Sequence, residues 1–102
     1  MSTADMLQDL GHKVIEAYSG MKALEILRNG HNVQLMITDY AMPGMTGLEL
    51  ARHARELKPN LPVLLATGYA ELPEGSTTDL PRLAKPFMQD QLATQISRVL
   101  GH

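Results

Sequence analysis

Three side chains with complementary chemistry lie at or directly after the ends of short apolar runs: Asp39, Thr67 and Lys85. A carboxylate can act as a nucleophile, a hydroxyl can donate a hydrogen bond, and an ammonium group is a compact positive charge. Phosphoryl transfer depends on in-line positioning and positive charge more than on covalent help from the protein. This set could therefore accept a phosphoryl group, provided that the three runs bring their ends together.

The residues around these positions alternate between strand-like and helix-like patterns. Apolar or β-branched segments predict strands at 13–18, 33–38, 62–66 and 82–84. Helices are predicted at 3–10, from a cap at Ser19 to Asn29, from a capping box formed by Thr46 and Glu49 to about residue 57, and after Lys85. This alternation with short connections indicates an α/β domain with a parallel sheet and helices on both faces. In such a sheet functional groups gather at the carboxyl ends of the strands.

Helical stripes indicate which side chains the later helices bury. Apolar residues recur at helical spacing in the helix that follows the capping box: Leu50, Ala51, Ala54 and Leu57. The final helix carries a similar stripe: Met88, Leu92, Ile96 and Val99. We expect both stripes to face the core.

These features together resemble the receiver domains of bacterial response regulators. The resemblance rests on ITDYAMPGMTG around Asp39, LLATG around Thr67 and KPF from Lys85, and it runs from about Asp9 to the C-terminus. It implies a flavodoxin-like (receiver) fold, with a parallel sheet in strand order 2-1-3-4-5 and helices on both faces. It also implies that Asp39 is the phosphoacceptor and that Thr67 and Lys85 bind the phosphoryl oxygens.

The chain departs from this family at its N-terminal end. The family's first strand and its acidic pair would precede Met1, so we expect residues 1–102 to form one receiver domain that is incomplete at the N-terminus. Receivers bind Mg²⁺ chiefly through that pair, together with the phosphoacceptor and a backbone carbonyl, here Asp39 and Ala41. Because Mg²⁺ prefers an octahedron of hard oxygen ligands, one carboxylate and one carbonyl predict weak or absent Mg²⁺ binding.

A second departure lies between Thr67 and Lys85, where the interval is short for a full helix and a strand. Residues 71–79 show no helical stripe and predict a loop, so we expect the family's fourth helix to be reduced. Arg82 stands where family members usually carry an aromatic switch residue, and Tyr69 is the nearest substitute. This pattern looks like the receivers appended to hybrid sensor histidine kinases and a related single-domain group whose fourth helix is reduced.

Composition excludes several other classes of protein. The chain has 102 residues, is 44% hydrophobic and 20% charged, and carries a formal net charge of -2. It has no basic stripe for nucleic acid and no apolar segment near the ~20 residues that would span a bilayer. The absence of cysteine excludes disulfides and is compatible with a cytoplasmic location.

The resemblance implies a phosphoacceptor module of two-component phosphorelay signalling, whose partner is a histidine kinase or a histidine phosphotransfer protein. Such a module is not expected to be an enzyme by itself. The alternative is a pseudo-receiver that binds partners without being phosphorylated. A third and weaker hypothesis, a small hydrolase with Asp39 as nucleophile, lacks a second acid or a general base nearby.

A receiver without its first strand would lose stability, because each buried aliphatic side chain contributes about 1.5–3 kcal/mol. Two arrangements could compensate. In one, the segment 13–18 pairs directly beside the segment 33–38. In the other, two chains associate as a homo-oligomer to cover the exposed edge. We favour this association, or a rearranged sheet edge, over a monomer.

Overall fold

The computed structural model describes residues 2–68 and 80–101, which form helices and a parallel sheet. The elements in chain order are α1 (Thr3–Asp9), α2 (Gly20–Arg28), β1 (Met36–Asp39), α3 (Gly47–Leu57), β2 (Val63–Thr67), β3 (Arg82–Ala84) and α4 (Gln89–Leu100). The predicted α/β architecture is confirmed. The sequence predictions for residues 69–79, including Tyr69 and the loop at 71–79, lie outside the described residues.

The sheet within the described residues has three parallel strands in the order β1-β2-β3. In register, Asp39 of β1 lies opposite Ala66 of β2, and Thr67 of β2 lies opposite Ala84 of β3. Because all three strands run in the same direction, their carboxyl ends share one edge of the sheet. Each of the three predicted site residues is at that edge.

Side-chain caps fix the starts of two helices where the sequence predicted them. The Ser19 hydroxyl accepts a hydrogen bond from the backbone N–H of Lys22 at the start of α2. Thr46 and Glu49 form the capping box of α3, with each side chain accepting from the other residue's backbone N–H. Since α3 begins directly after the loop that follows Asp39, this cap also sets where that loop ends.

Two helical layers cover the sheet. On one face, Ala51 of α3 packs with Val63 and Leu65 of β2. On the other face, Leu92 of α4 packs with Leu64. The alternation along β2 sends successive side chains to opposite faces, and all five residues of this strand are buried. Helix α1 joins the α4 layer, and α2 packs on α3. The central strand of the three is thus enclosed on both sides.

The predicted strand at 13–18 is wrong. This segment is irregular in the structure, and Ile15 and Tyr18 are 54% and 91% exposed. A strand requires hydrogen-bonding neighbours, and β-branched composition does not supply them. Within the described residues, β1 pairs with β2 alone, so the first of the two compensating arrangements, segment 13–18 beside segment 33–38, is not formed. Strand β1 itself is shorter than predicted and begins at Met36.

Two predicted core residues are exposed. Met88 is 71% exposed because it is the N-cap residue of α4, one residue before the helix begins. Leu57, the last residue of α3, is 37% exposed. The buried stripe of α4 instead begins at Leu92 and continues at Ile96. Among residues 2–68 and 80–101, no helix combines the length and the apolar character that crossing a membrane requires.

Candidate functional site

The site is organised by an ion pair between Asp39 and Lys85. Asp39 is the last residue of β1, and its Oδ1 lies 3.0 Å from the Nζ of Lys85. The side chain of Asp39 is 55% exposed and that of Lys85 is 35% exposed. The carboxylate is therefore fixed by a positive charge on one side and accessible to a reactant from solvent on the other.

The backbone of Lys85 is held at the end of β2. Its N–H donates to the carbonyl of Thr67 at 2.8 Å, which extends the β2–β3 pairing by one residue. The Lys85–Pro86 peptide bond is cis. Neighbouring strands lie about 4.8 Å apart, and β2 lies between β1 and β3. The long side chain of Lys85 therefore crosses the end of β2 to reach Asp39.

Thr67 occupies the strand end that this ion pair crosses. It is the last residue of β2 and is 8% exposed. Asp39 pairs with Ala66, the residue directly before it. The structure thus brings Asp39, Thr67 and Lys85 to adjacent strand ends, as the sequence predicted, with the threonine in the middle position.

The loop after Asp39 is closed by its own backbone. The N–H of Gly47 donates to the carbonyl of Tyr40 at 2.8 Å, and Gly44 has a positive φ of 80°. A Cβ on Gly47 would collide with the carbonyl oxygen of Asp39 and would lie 2.8 Å from Leu65 Cδ1. Glycine is therefore required at position 47 because the start of α3 lies directly against the end of β1.

Sequence reasoning missed Thr38, which precedes Asp39 in β1. Thr38 and Thr67 are the buried polar residues of the described part of the chain. The Thr38 hydroxyl donates to the carbonyl of Asp39 at 3.0 Å and lies 3.6 Å from Met42 Sδ. A signal existed, since a hydroxyl within an apolar strand needs a hydrogen-bond partner.

The acids upstream of the site are engaged elsewhere. Asp5 caps α1, where its carboxylate accepts from the backbone N–H of Ser2 at 3.4 Å. Asp9 accepts at 2.9 Å from the side-chain amide of Gln89, which also donates to the carbonyl of Met6 at 3.1 Å. This amide ties α1 to the start of α4.

The residues described do not fit a Mg²⁺ site. The candidate ligands are one carboxylate, which is paired with Lys85, and the backbone carbonyl of Ala41 in the exposed loop. Residues 2–68 and 80–101 contain no group of three or more His, Cys, Asp or Glu side chains that could hold a metal ion. An octahedral Mg²⁺ ion requires more hard oxygen ligands than this set supplies. Weak or absent Mg²⁺ binding stays a prediction.

Comparison with known proteins identifies the class. Residues 1–97 match the response regulator receiver domain family. The chain therefore belongs to the receiver domains of two-component signalling systems, and the predicted flavodoxin-like fold is confirmed.

The chain is similar to receivers of two kinds. It is 36% identical to the response regulator receiver protein CpdR of Brucella abortus (strain 2308), covering 92% of this chain and 81% of that protein. It is 38% identical to the sensor kinase CckA of the same organism, where the match covers 92% of this chain but only 10% of the kinase. A crystal structure of a response regulator receiver protein from Sinorhizobium medicae WSM419 superposes with a TM-score of 0.83 at 35% identity, covering 96% of this chain and 82% of that one. The relatives thus include a receiver protein of comparable length and a much longer sensor kinase.

Proposed function

We propose that this chain accepts a phosphoryl group on the carboxylate of Asp39 in a two-component phosphorelay. The observation that carries the proposal is the 3.0 Å ion pair between Asp39 and Lys85 at the carboxyl edge of the sheet. An exposed carboxylate that keeps a fixed ammonium group beside it can act as a nucleophile while its neighbour binds phosphoryl oxygens.

The reaction is a displacement at phosphorus. An Oδ atom of Asp39 forms a bond to the phosphorus of a phosphohistidine, and the P–N bond breaks. The histidine leaves with the electron pair of that bond and takes up a proton from solvent. Lys85 offsets the negative charge on the equatorial oxygens, and the hydroxyl of Thr67 donates a hydrogen bond to one of them.

The proposed partner is a histidine kinase or a histidine phosphotransfer protein. A sensor kinase is among the similar proteins, and the match covers a segment of it. We infer a cytoplasmic location, since such donors carry their phosphohistidine in that compartment and the chain has no cysteine. We propose no nucleic acid as a partner, because the net charge of -2 offers no basic surface for phosphates.

Intact-mass measurement after incubation with phosphoramidate, a donor with a P–N bond, tests the proposal. The wild-type chain should gain the mass of one phosphoryl group, and Asp39→Asn should gain none. Asp90→Asn is a matched control, because Asp90 is an exposed acid in the first turn of α4. An adduct that persists in Asp39→Asn would refute the assignment.

A second candidate function is a pseudo-receiver that binds partners without being phosphorylated. The set of candidate Mg²⁺ ligands favours this function, since the described residues offer one carboxylate and one carbonyl where Mg²⁺ needs more ligands. This alternative predicts partner binding that Asp39→Asn leaves unchanged. The phosphoacceptor proposal predicts binding that differs between the phosphorylated and unphosphorylated chain.

We also propose that two copies of the chain associate through the outer edge of β1. Within the described residues this strand hydrogen-bonds to β2 alone, and an open strand edge favours pairing with another chain. The irregular segment 13–18 exposes Ile15 and Tyr18. A second copy would cover both features.

Sedimentation equilibrium over a range of protein concentrations tests this association. Tyr18→Ser should shift the equilibrium toward monomer, whereas Met88→Ser should not, although both side chains are strongly exposed. A wild-type chain that remains monomeric at all concentrations would contradict the proposal.

A further inference from the structure

Thr38 is a buried hydroxyl beside the proposed phosphoacceptor, and the reaction described above does not use it. It is 5% exposed and lies in β1, directly before Asp39. A buried hydroxyl needs a hydrogen-bond partner. Its nearer partner is the backbone carbonyl of Asp39, at 3.0 Å, and the weak acceptor Met42 Sδ lies at 3.6 Å.

That carbonyl points away from the rest of the sheet. The N–H groups of Met36 and Tyr40 donate to carbonyls of the β2 side at 3.0 Å, so alternate residues of this segment face β2. Asp39 lies between Thr38 and Tyr40, which belong to the set that faces β2. Its own carbonyl is therefore directed to the other side. The hydrogen bond from Thr38 takes the place of a ladder bond for this carbonyl.

The same carbonyl is confined on a second side by Gly47. An added Cβ at this glycine would collide with the oxygen of Asp39. The backbone N–H of Gly47 in turn donates to the carbonyl of Tyr40 at 2.8 Å. The peptide group that joins Asp39 to Tyr40 is thus held by the Thr38 hydroxyl, by the approach of Gly47 and by the pairing of Tyr40 with β2.

We propose that Thr38 is a positioning residue for Asp39, and this inference rests on the proposed function. By holding the carbonyl of Asp39, its hydroxyl fixes the rotation of the last peptide group of β1. The Asp39 Cα is bonded to that peptide group, so holding the group limits how far the carboxylate can shift from the ammonium of Lys85. The carboxylate therefore meets the ammonium of Lys85 and faces the incoming phosphorus. Small displacements of a reacting group lower rates strongly.

The test compares Thr38→Val, which removes the hydroxyl at nearly constant volume, with Thr38→Ser, which keeps it. Thr94→Val is the control, because the exposed Thr94 of α4 also donates to a backbone carbonyl, that of Asp90 at 2.9 Å. The first readout is phosphorylation by phosphoramidate as a function of donor concentration. Thr38→Val should lower the maximal rate by about 10-fold or more with little change in the half-saturating concentration. Thr38→Ser and Thr94→Val should stay close to wild type.

The second readout does not need phosphoryl transfer: crystal structures of wild type, Thr38→Val and Thr38→Ser. The valine variant should lose the 3.0 Å contact between Asp39 and Lys85, and the serine variant should keep it. If Thr38→Val keeps both the contact and the wild-type rate, the inference is overturned. If the wild-type chain takes no phosphoryl group while Thr38→Val still loses the contact, the proposed function fails and the positioning role of Thr38 stands.

Discussion

The ammonium group of Lys85 and the carboxylate of Asp39 meet across the end of a strand to which neither belongs. Asp39 ends β1, Lys85 follows β3, and β2 lies between them. Their 3.0 Å contact therefore depends on the register of both strand pairs, β1 with β2 and β2 with β3. The buried hydroxyl residue of β2, Thr67, lies at the strand end that the contact crosses.

Removal of the positive charge should affect the reaction more than the fold. We expect Lys85→Met to lower the rate of Asp39 phosphorylation by about 10²-fold, since it removes a group that stabilises charge in the transition state. Stability should change by less than about 1 kcal/mol, because both partners are partly exposed to solvent. Phosphorylation kinetics and urea unfolding measure the two effects.

Lys22→Met is the matched control for that substitution. Lys22 also forms an exposed ion pair, at 3.5 Å with Glu25 within α2. Its loss should leave the rate of phosphorylation at the wild-type value. An equal loss of rate in both variants would show that Lys85 acts through general charge and not through its contact with Asp39.

The hydroxyl of Thr67 should be required for the rate of transfer. Thr67→Val keeps the shape of the side chain and removes the donor to the phosphoryl oxygen, so the rate should fall by about 10²-fold. Thr67→Ser should retain most of the rate. Equal rates of phosphorylation for Thr67→Val and the wild-type chain would indicate that Thr67 only fills space at the end of β2.

Gly47 and Gly20 give a matched pair of glycine substitutions. Each is the first residue of its helix. A Cβ at Gly47 would meet backbone, whereas a Cβ at Gly20 would lie 2.7 Å from the sulfur of the flexible Met45 side chain, which can move. We expect Gly47→Ala to cost about 1–3 kcal/mol of unfolding free energy and to slow phosphorylation, with a smaller cost for Gly20→Ala. Equal costs in urea unfolding would contradict the close approach at Asp39.

Leu92 and Met88 should differ sharply, although the sequence places both on one helical stripe. Leu92 is fully buried and Met88 is 71% exposed. Leu92→Ala should therefore cost about 2–5 kcal/mol, and Met88→Ala about 0.5 kcal/mol or less. Thermal and urea unfolding of the two variants check the difference. A large loss of unfolding free energy in Met88→Ala would instead support a position of Met88 in the core.

The placement of the candidate site residues could be predicted from the sequence because it depends on strand ends. Asp39, Thr67 and Lys85 each follow an apolar run, and parallel strands bring such ends to one edge. Helix starts at Ser19 and Thr46 were equally predictable, since capping uses residues a few positions apart.

The remaining features depend on neighbours that no local pattern specifies. The segment 13–18 has a strand-like composition, but the described structure offers it no strand to pair with. Helical spacing predicts the apolar stripe of α4, but it does not show that Met88 lies before the first turn of the helix. The role of Thr38 arises from the position of one carbonyl, which becomes visible only when β1, its loop and Gly47 are placed together.

The most direct test of the account is to identify the residue that carries the phosphoryl group. Borohydride reduces an aspartyl phosphate to homoserine, so treatment of the phosphorylated chain followed by peptide mass spectrometry marks the modified position. We predict homoserine at position 39 and at no other acid. Homoserine at a different carboxylate, in a chain that has taken up phosphoryl groups, would contradict the central claim.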